Sequence, residues 1–73
     1  MLVYSLDRKQ TTKCTELYTD LIRIAKKECV LIIDEKYCIE RFVTNDFLFY
    51  VHIKENGRTI DKICVYKRKD RID

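Results

Sequence analysis

Apolar residues recur at three- and four-residue steps over residues 14–25, and polar residues fill the positions between them. This spacing predicts an amphipathic helix with one buried stripe. The stripe consists of Cys14, Leu17, Tyr18, Leu21, Ile24 and Ala25.

Polar residues set the predicted limits of this helix. Asp7 and Gln10 have the three-residue spacing of a capping box. Thr11 or Thr12 is an equally suitable N-cap, so the sequence leaves the start of the helix open by about one turn. Lys26 and Lys27 are expected to end the helix, because positive charge is favoured at the C-terminal end of the helix dipole.

The second half of the chain has the composition of β-strands. Three stretches are rich in Ile, Val, Phe and Tyr: VLIIDEKYCIERFV (30–43), FLFYVHIK (47–54) and TIDKICVYK (59–67). The segment Leu2–Leu6 alternates weakly and is a candidate first strand, although the sequence leaves open whether it joins the sheet. The predicted fold class is α+β, with one amphipathic helix packed on an antiparallel sheet of three to four strands in the order β-α-β-β-β.

Two short turns predict the register of the sheet. Asn56-Gly57 is a strong signal for a two-residue hairpin loop, and counting back from it pairs Ile53 with Ile60. The same count puts Phe49, Val51 and Cys64 on the face that packs against the helix. It also pairs Leu48 with Val65, Tyr50 with Ile63 and His52 with Asp61 on the opposite face. A second tight turn centred on Asn45-Asp46 adds Val43, Arg41 and Ile39 to that opposite face and puts Phe42 inside.

Length and composition restrict the class of protein. With 73 residues, of which 47% are apolar and 37% charged, the chain is expected to be a single folded domain over residues 1–73, with the last few residues frayed. The net charge of +3 is mild. The N-terminal residues do not resemble a signal peptide, and no apolar run approaches the roughly 20 residues of a membrane span. We therefore expect a cytoplasmic protein with reduced cysteines and no membrane partner.

The predicted face opposite the helix is unusually apolar for a solvated sheet face. A contiguous apolar patch on a surface usually contacts a partner. The alternatives are that these aliphatic residues reflect β-propensity alone, or that the N-terminal segment covers them. The candidate interface consists of Val43, Leu48, Tyr50, Ile63 and Val65.

Basic residues on the same face and at the C-terminus suggest a second use. An aromatic side chain beside cations can stack a base and hold phosphates, as in proteins that bind single-stranded nucleic acid. The alternative is a solvated, frayed edge strand, where lysines also discourage aggregation. The candidate nucleic-acid contacts are Arg41, Tyr50, His52, Lys54, Lys67, Arg68 and Lys69.

The four cysteines show no metal-binding spacing. They are separated by 15, 9 and 26 positions, without a CxxC pair. Cys14, Cys38 and Cys64 are predicted on the core side, where free cysteine packs as a small apolar residue. A metal or redox centre built from these three thiols is the less favoured alternative to packing. The sequence predicts no metal site and no cofactor.

Catalysis is not expected either. His52 and Asp61 are predicted to face each other, as a general base and its orienting carboxylate do, but no suitable nucleophile accompanies them. A cross-strand charge pair is the simpler interpretation. The single glycine, Gly57, belongs to a turn, so a phosphate-binding glycine loop is absent.

The sequence therefore predicts a small non-catalytic interaction or regulatory protein. It is expected to self-associate or dock a partner protein through the sheet face opposite the helix. The alternative prediction is a nucleic-acid-binding module that uses the same face and the basic C-terminal segment. No small-molecule substrate is indicated.

Overall fold

One helix and five strands make up the computed structural model, which describes residues 1–31, 37–55, 57 and 59–69. The elements in chain order are β1 (Leu2–Asp7), a 3-10 turn (Arg8–Gln10), α1 (Thr11–Ile24), β2 (Lys26–Leu31), β3 (Tyr37–Val43), β4 (Phe47–Lys54) and β5 (Ile60–Lys67).

The strands form one antiparallel sheet in the order β1-β5-β4-β3-β2. This arrangement confirms the α+β class, whereas the prediction of three to four strands in the order β-α-β-β-β is wrong. β2 ends at Leu31 and β3 begins at Tyr37, so the stretch 30–43 contributes to two strands. Residues 32–36, between them, lie outside the described part of the chain. The first strand joins the sheet by pairing with β5, a point that the sequence left open.

The helix begins within the range that the sequence left open, but its C-terminal end differs from the prediction. The capping box is present, since the Lys9 N–H donates to Asp7 Oδ1 (2.9 Å) and the Asp7 N–H donates to Gln10 Oε1 (3.2 Å). It caps the 3-10 turn, and α1 follows directly. At the other end Ala25 is already extended, so the lysines at positions 26 and 27 belong to β2 and not to the helix.

The hydrophobic core lies between α1 and one face of the sheet, called here the inner face. Cys14 and Leu21 of the helix are each only 1% exposed. Tyr18 adds an edge-to-face contact with Phe42, at 5.9 Å between ring centroids. Ile24, predicted in the buried stripe, is 74% exposed because the helix ends there. The buried cluster consists of Leu6, Cys14, Leu21, Phe42, Val51, Ile53, Ile63 and Val65.

The register of β3 with β4 confirms the prediction. Val43 pairs with Leu48 and Arg41 pairs with Tyr50, as counted from a turn centred on residues 45 and 46. The Thr44 N–H donates to the Phe47 carbonyl (3.0 Å) and closes this turn. Phe42 is fully buried on the inner face, as expected.

The register of β4 with β5 agrees with the prediction only at one end. Ile53 pairs with Ile60 as predicted, but the next pair is His52 with Lys62, so a β-bulge leaves Asp61 unpaired. Every pair beyond the bulge is displaced by one residue, and the predicted pairs of Leu48, Tyr50 and His52 with β5 are therefore wrong.

The bulge has a physical reason in the apolar spacing. Ile60 and Ile63 are three positions apart, which in a regular strand would place them on opposite faces. One extra residue between them allows both to face the helix, where Ile63 is fully buried. The same displacement moves Val65 to the inner face and Cys64 to the opposite one.

The β4–β5 hairpin is closed by two backbone hydrogen bonds. The Gly57 N–H donates to the Lys54 carbonyl (2.8 Å), and the Lys54 N–H donates to the Thr59 carbonyl (2.9 Å). Gly57 has a φ of 72°, which glycine adopts at low cost. Residues 56 and 58 of the predicted turn, like the predicted frayed end at 70–73, lie outside the described residues.

Candidate functional site

The face of the sheet opposite α1, called here the outer face, is open. The helix packs only against the inner face, and no other element of the described residues lies over the outer one. A sheet with one face packed and the other in water normally alternates apolar and polar side chains. The outer face departs from that alternation at one end.

An apolar band crosses four strands at this end of the outer face. Leu2 pairs with Tyr66, Tyr66 pairs with Leu48, and Leu48 pairs with Val43, so the four side chains follow one another across the sheet. Tyr50 lies one pair further along β4 and meets Tyr66 edge to face, at 5.3 Å between ring centroids. The apolar band, defined as these five residues, is partly exposed throughout.

The structure places three of the five predicted interface residues in this band. Val43, Leu48 and Tyr50 lie on the outer face, as expected. Ile63 and Val65 do not, because the bulge turns both into the core, where they are 0% and 6% exposed. Sequence reasoning missed Tyr66 and Leu2. The three-residue spacing from Ile60 to Ile63 was the signal for the bulge that exposes Tyr66.

The rest of the outer face carries charged side chains of both signs beside apolar ones such as Ile39. Arg41 Nε lies 3.2 Å from Glu28 Oε2, and Lys54 Nζ lies 3.9 Å from Asp61 Oδ1. The Arg41 Nε–H is not aligned to donate to Glu28, so this contact is an ion pair without a hydrogen bond. Register places seven charged residues on or beside the described outer face: Asp7, Lys26, Glu28, Arg41, Lys54, Asp61 and Lys62.

His52 lies in the charged part of the outer face and pairs with Lys62. The predicted pairing of His52 with Asp61 is wrong. Burial lowers the pKa of His52, the positive charge of Lys62 lowers it further, and Asp61 opposes the change. Cys64, expected on the core side, shares this face with His52, but only 7% of it is exposed. Cys64 is therefore not an accessible nucleophile beside His52.

The predicted nucleic-acid contacts divide into two groups. Arg41, Tyr50, His52 and Lys54 share the outer face, as expected. The basic C-terminal residues line a groove of about 380 Å³ at the end of the apolar band. Its lining consists of Met1, Leu48, Tyr50, Tyr66, Lys67, Arg68 and Lys69.

Most of the basic segment is fastened to the rest of the fold. Arg68 Nη1 donates to the Thr44 carbonyl (2.8 Å), and the Arg68 N–H donates to the Asp46 carbonyl (2.9 Å). The Lys67 N–H donates to the Met1 carbonyl (3.1 Å). Arg68 thus holds the end of β5 against the β3–β4 turn, whereas Lys67 is held through its backbone.

The cysteines do not converge as predicted. Cys14 is buried beside the first turn, where its thiol donates to the Asp7 carbonyl (3.5 Å), and burial and the charge of Asp7 raise its pKa. Cys38 lies on the inner face but outside the core cluster, while Cys64 lies on the outer face. Within the described residues, no three His, Cys, Asp or Glu side chains are arranged to hold a metal ion.

Comparison with known proteins assigns no function to the outer face. In the described part of the chain, α1 is too short and too polar to cross a membrane. No protein-family model matches the chain, no curated protein matches it, and no solved structure matches it. The outer face is therefore considered on its own chemistry.

Proposed function

We propose that this chain is a non-catalytic interaction protein that self-associates through its outer sheet face. The observation that carries the proposal is the apolar band, which crosses four strands on the open face of the sheet. Covering such side chains stabilises an association by about 25 cal/mol for each Å² of apolar surface removed from water. A second copy supplies the same band for this purpose.

The charges of the outer face support a second copy as the partner. Among the described residues, the cations at positions 26, 41, 54 and 62 are nearly balanced by the anions at positions 7, 28 and 61. Two such faces repel each other little when they approach. A domain of this size also buries only about 60% of its unfolded surface, so a covered sheet face adds a useful margin of stability.

The test is the solution mass of wild type and of Leu48→Glu at micromolar concentration, measured by sedimentation equilibrium. Leu48 lies at the centre of the apolar band, so a carboxylate there must be desolvated when the band is covered. We expect a wild-type dimer and a folded Leu48→Glu monomer. Because the contact is apolar, added salt should change the wild-type mass little.

Ile22→Glu is the matched control. Ile22 is an aliphatic residue of α1 that is 55% exposed and lies away from the outer face, so the same chemical change should leave the dimer intact. A wild-type protein that remains monomeric at high concentration would contradict self-association. A Leu48→Glu dimer as stable as wild type would place any interface elsewhere.

Single-stranded nucleic acid is a second candidate partner, favoured by one specific observation. The bulge brings Tyr66 beside Tyr50, so the outer face carries an aromatic pair with Arg41 on the neighbouring strand. Stacking of a base on an aromatic side chain is worth about 1–3 kcal/mol. Arg41 is in turn positioned to approach a phosphate.

Fluorescence anisotropy with a labelled oligonucleotide separates this candidate from self-association. Tyr50→Ala and Tyr66→Ala should each weaken binding by about 1–3 kcal/mol, and Lys62→Gln should reduce the salt dependence. Tyr4→Ala is the control, since Tyr4 is an exposed tyrosine that shares its face with Val65 and not with the aromatic pair. Binding that is undetectable at low salt would remove this candidate.

A further inference from the structure

Two cysteines lie close together on the inner face at the edge formed by β2, outside the buried cluster. Cys29 on β2 pairs with Glu40, and Cys38 on β3 pairs with Leu31, so the two cysteines are diagonal neighbours on the same face. Neither belongs to the buried cluster under α1. Cys29 is exposed, and Cys38 is partly exposed.

The surroundings of this pair are polar and ordered. Glu40 accepts a hydrogen bond from the Tyr18 hydroxyl (2.6 Å). It also forms an ion pair with Lys27, in which Nζ and Oε2 are 2.7 Å apart. The neighbouring Cys29, burial and the charge of Glu40 raise the pKa of Cys38, and Lys27 opposes the change. Cys29 is the more exposed of the two cysteines.

We propose that Cys29 and Cys38 form an oxidation site, at which a small disulfide such as oxidised glutathione converts the two thiols into a reversible cross-strand disulfide. The first attack belongs to the exposed thiol. Cys29, as thiolate, attacks one sulfur of oxidised glutathione, and the products are a Cys29–glutathione mixed disulfide and one glutathione thiolate.

The second cysteine completes the exchange. Cys38 loses its proton to solvent and attacks Cys29 Sγ, which breaks the bond to glutathione and releases the second glutathione. The protein loses two protons and two electrons, and oxidised glutathione gains them as two glutathione thiols. An excess of reduced glutathione reverses both steps.

The position of β2 makes the bond sterically accessible. Diagonal neighbours in an antiparallel pair have Cα atoms about 7–8 Å apart, whereas disulfides usually span about 4.4–6.8 Å. β2 must therefore move towards β3 by about 1 Å. Among the described strands it pairs with β3 alone, and all six of its residues are exposed, so no buried side chain of β2 opposes this shift.

The disulfide would fasten an otherwise weakly held edge. No residue of β2 belongs to the buried cluster, and its last residue, Leu31, is 80% exposed. A covalent link to β3 prevents β2 from separating from the sheet. It would also withdraw Cys29 from reactions with other molecules.

The test is incubation of the full chain with a glutathione buffer, followed by titration of free thiols in denaturant and peptide mapping. All four cysteines are free in the structure, and we expect oxidation to reduce four free thiols to two, with a single linked peptide pair containing Cys29 and Cys38. Cys38→Ser should instead retain one glutathione on Cys29, and Cys29→Ser should lose no thiol. Cys64→Ala is the control and should still lose two.

Each other outcome overturns the proposal. Four remaining thiols in wild type would show that the pair is not oxidised. A linked pair with any other cysteine, or a dimer joined through Cys29, would show that the diagonal geometry does not direct the bond. A wild-type protein that keeps glutathione on Cys29 would show that Cys38 cannot reach it. None of these results depends on whether the outer face self-associates.

Discussion

Gly57 shows how one backbone conformation contributes to the stability of a hairpin. Its φ of 72° lies in the left-handed region, and its N–H closes the turn by donating to the Lys54 carbonyl. A Cβ at this position would meet no atom within 4 Å, so the cost of a side chain comes from the backbone alone.

Gly57→Ala should therefore lower the free energy of unfolding by about 1 kcal/mol, because alanine is penalised at positive φ. Urea denaturation monitored by circular dichroism measures this change. Lys69→Ala, in an exposed position near the end of the described chain, serves as the control and should have little effect. Equal stability of wild type and Gly57→Ala would contradict the turn geometry.

His52 makes stability depend on pH, with a sign that follows from its environment. Its pKa in the folded protein is lower than the ordinary value of 6.5, mainly because of burial. The unfolded chain therefore binds a proton more readily than the folded one. The free energy of unfolding should fall as the pH drops from 6.5 towards the folded pKa, and His52 should have no effect above that range.

His52→Gln removes this titration, so its stability should change less than that of wild type between about pH 7 and about pH 5.5. Urea denaturation at several pH values provides the comparison. Carboxylates contribute in both proteins, so the difference between the two slopes is the informative quantity. Parallel slopes would show that His52 titrates alike in the folded and unfolded chains.

At the scale of elements, the bulge in β5 decides which side chains reach the outer face. Asp61 is the extra residue, and without it Ile60, Lys62 and Ile63 would follow the regular alternation of inner, outer and inner. A deletion of Asp61 should therefore preserve the face of every other residue in β5.

Deletion of Asp61 should cost less than about 1 kcal/mol, since it removes only a partly exposed ion pair with Lys54. Deletion of Cys64, three residues later, is the matched control. It would turn Val65 out of the core and should unfold the domain. Thermal denaturation distinguishes the two variants, and similar loss of stability in both would contradict the assigned register.

The sequence allowed the helix and the β3–β4 register to be predicted, because both depend on local signals. Cys14 and Leu21 show the helical period, and the turn at 45–46 is short enough to count from. The bulge was missed because hairpin counting assumes regular pairing, whereas the competing demand to bury Ile63 is a tertiary effect. The division into β2 and β3 was missed because no glycine or proline marks it.

At the scale of the molecule, the candidate surface results from an unequal distribution of packing. One helix covers one face of a five-stranded sheet, and no described element covers the opposite face. The sequence correctly indicated that this face is apolar, but it assigned Ile63 and Val65 to it. The structure places Tyr66 and Leu2 there instead, so the surface is more aromatic than predicted. For this reason nucleic acid remains the second candidate partner.

The strand order also has a consequence for how the chain folds. Strands β2 to β5 are neighbours in both sequence and space, so their hairpins require only short loops to close. β1 instead pairs with β5, and the contact of Leu2 with Tyr66 joins positions near opposite ends of the described chain. Closing so long a loop carries a larger entropic cost, which slows the formation of such contacts. We therefore expect the four-stranded meander to form early and the first strand to join it late, so that Leu6 seals the core in one of the last steps of folding.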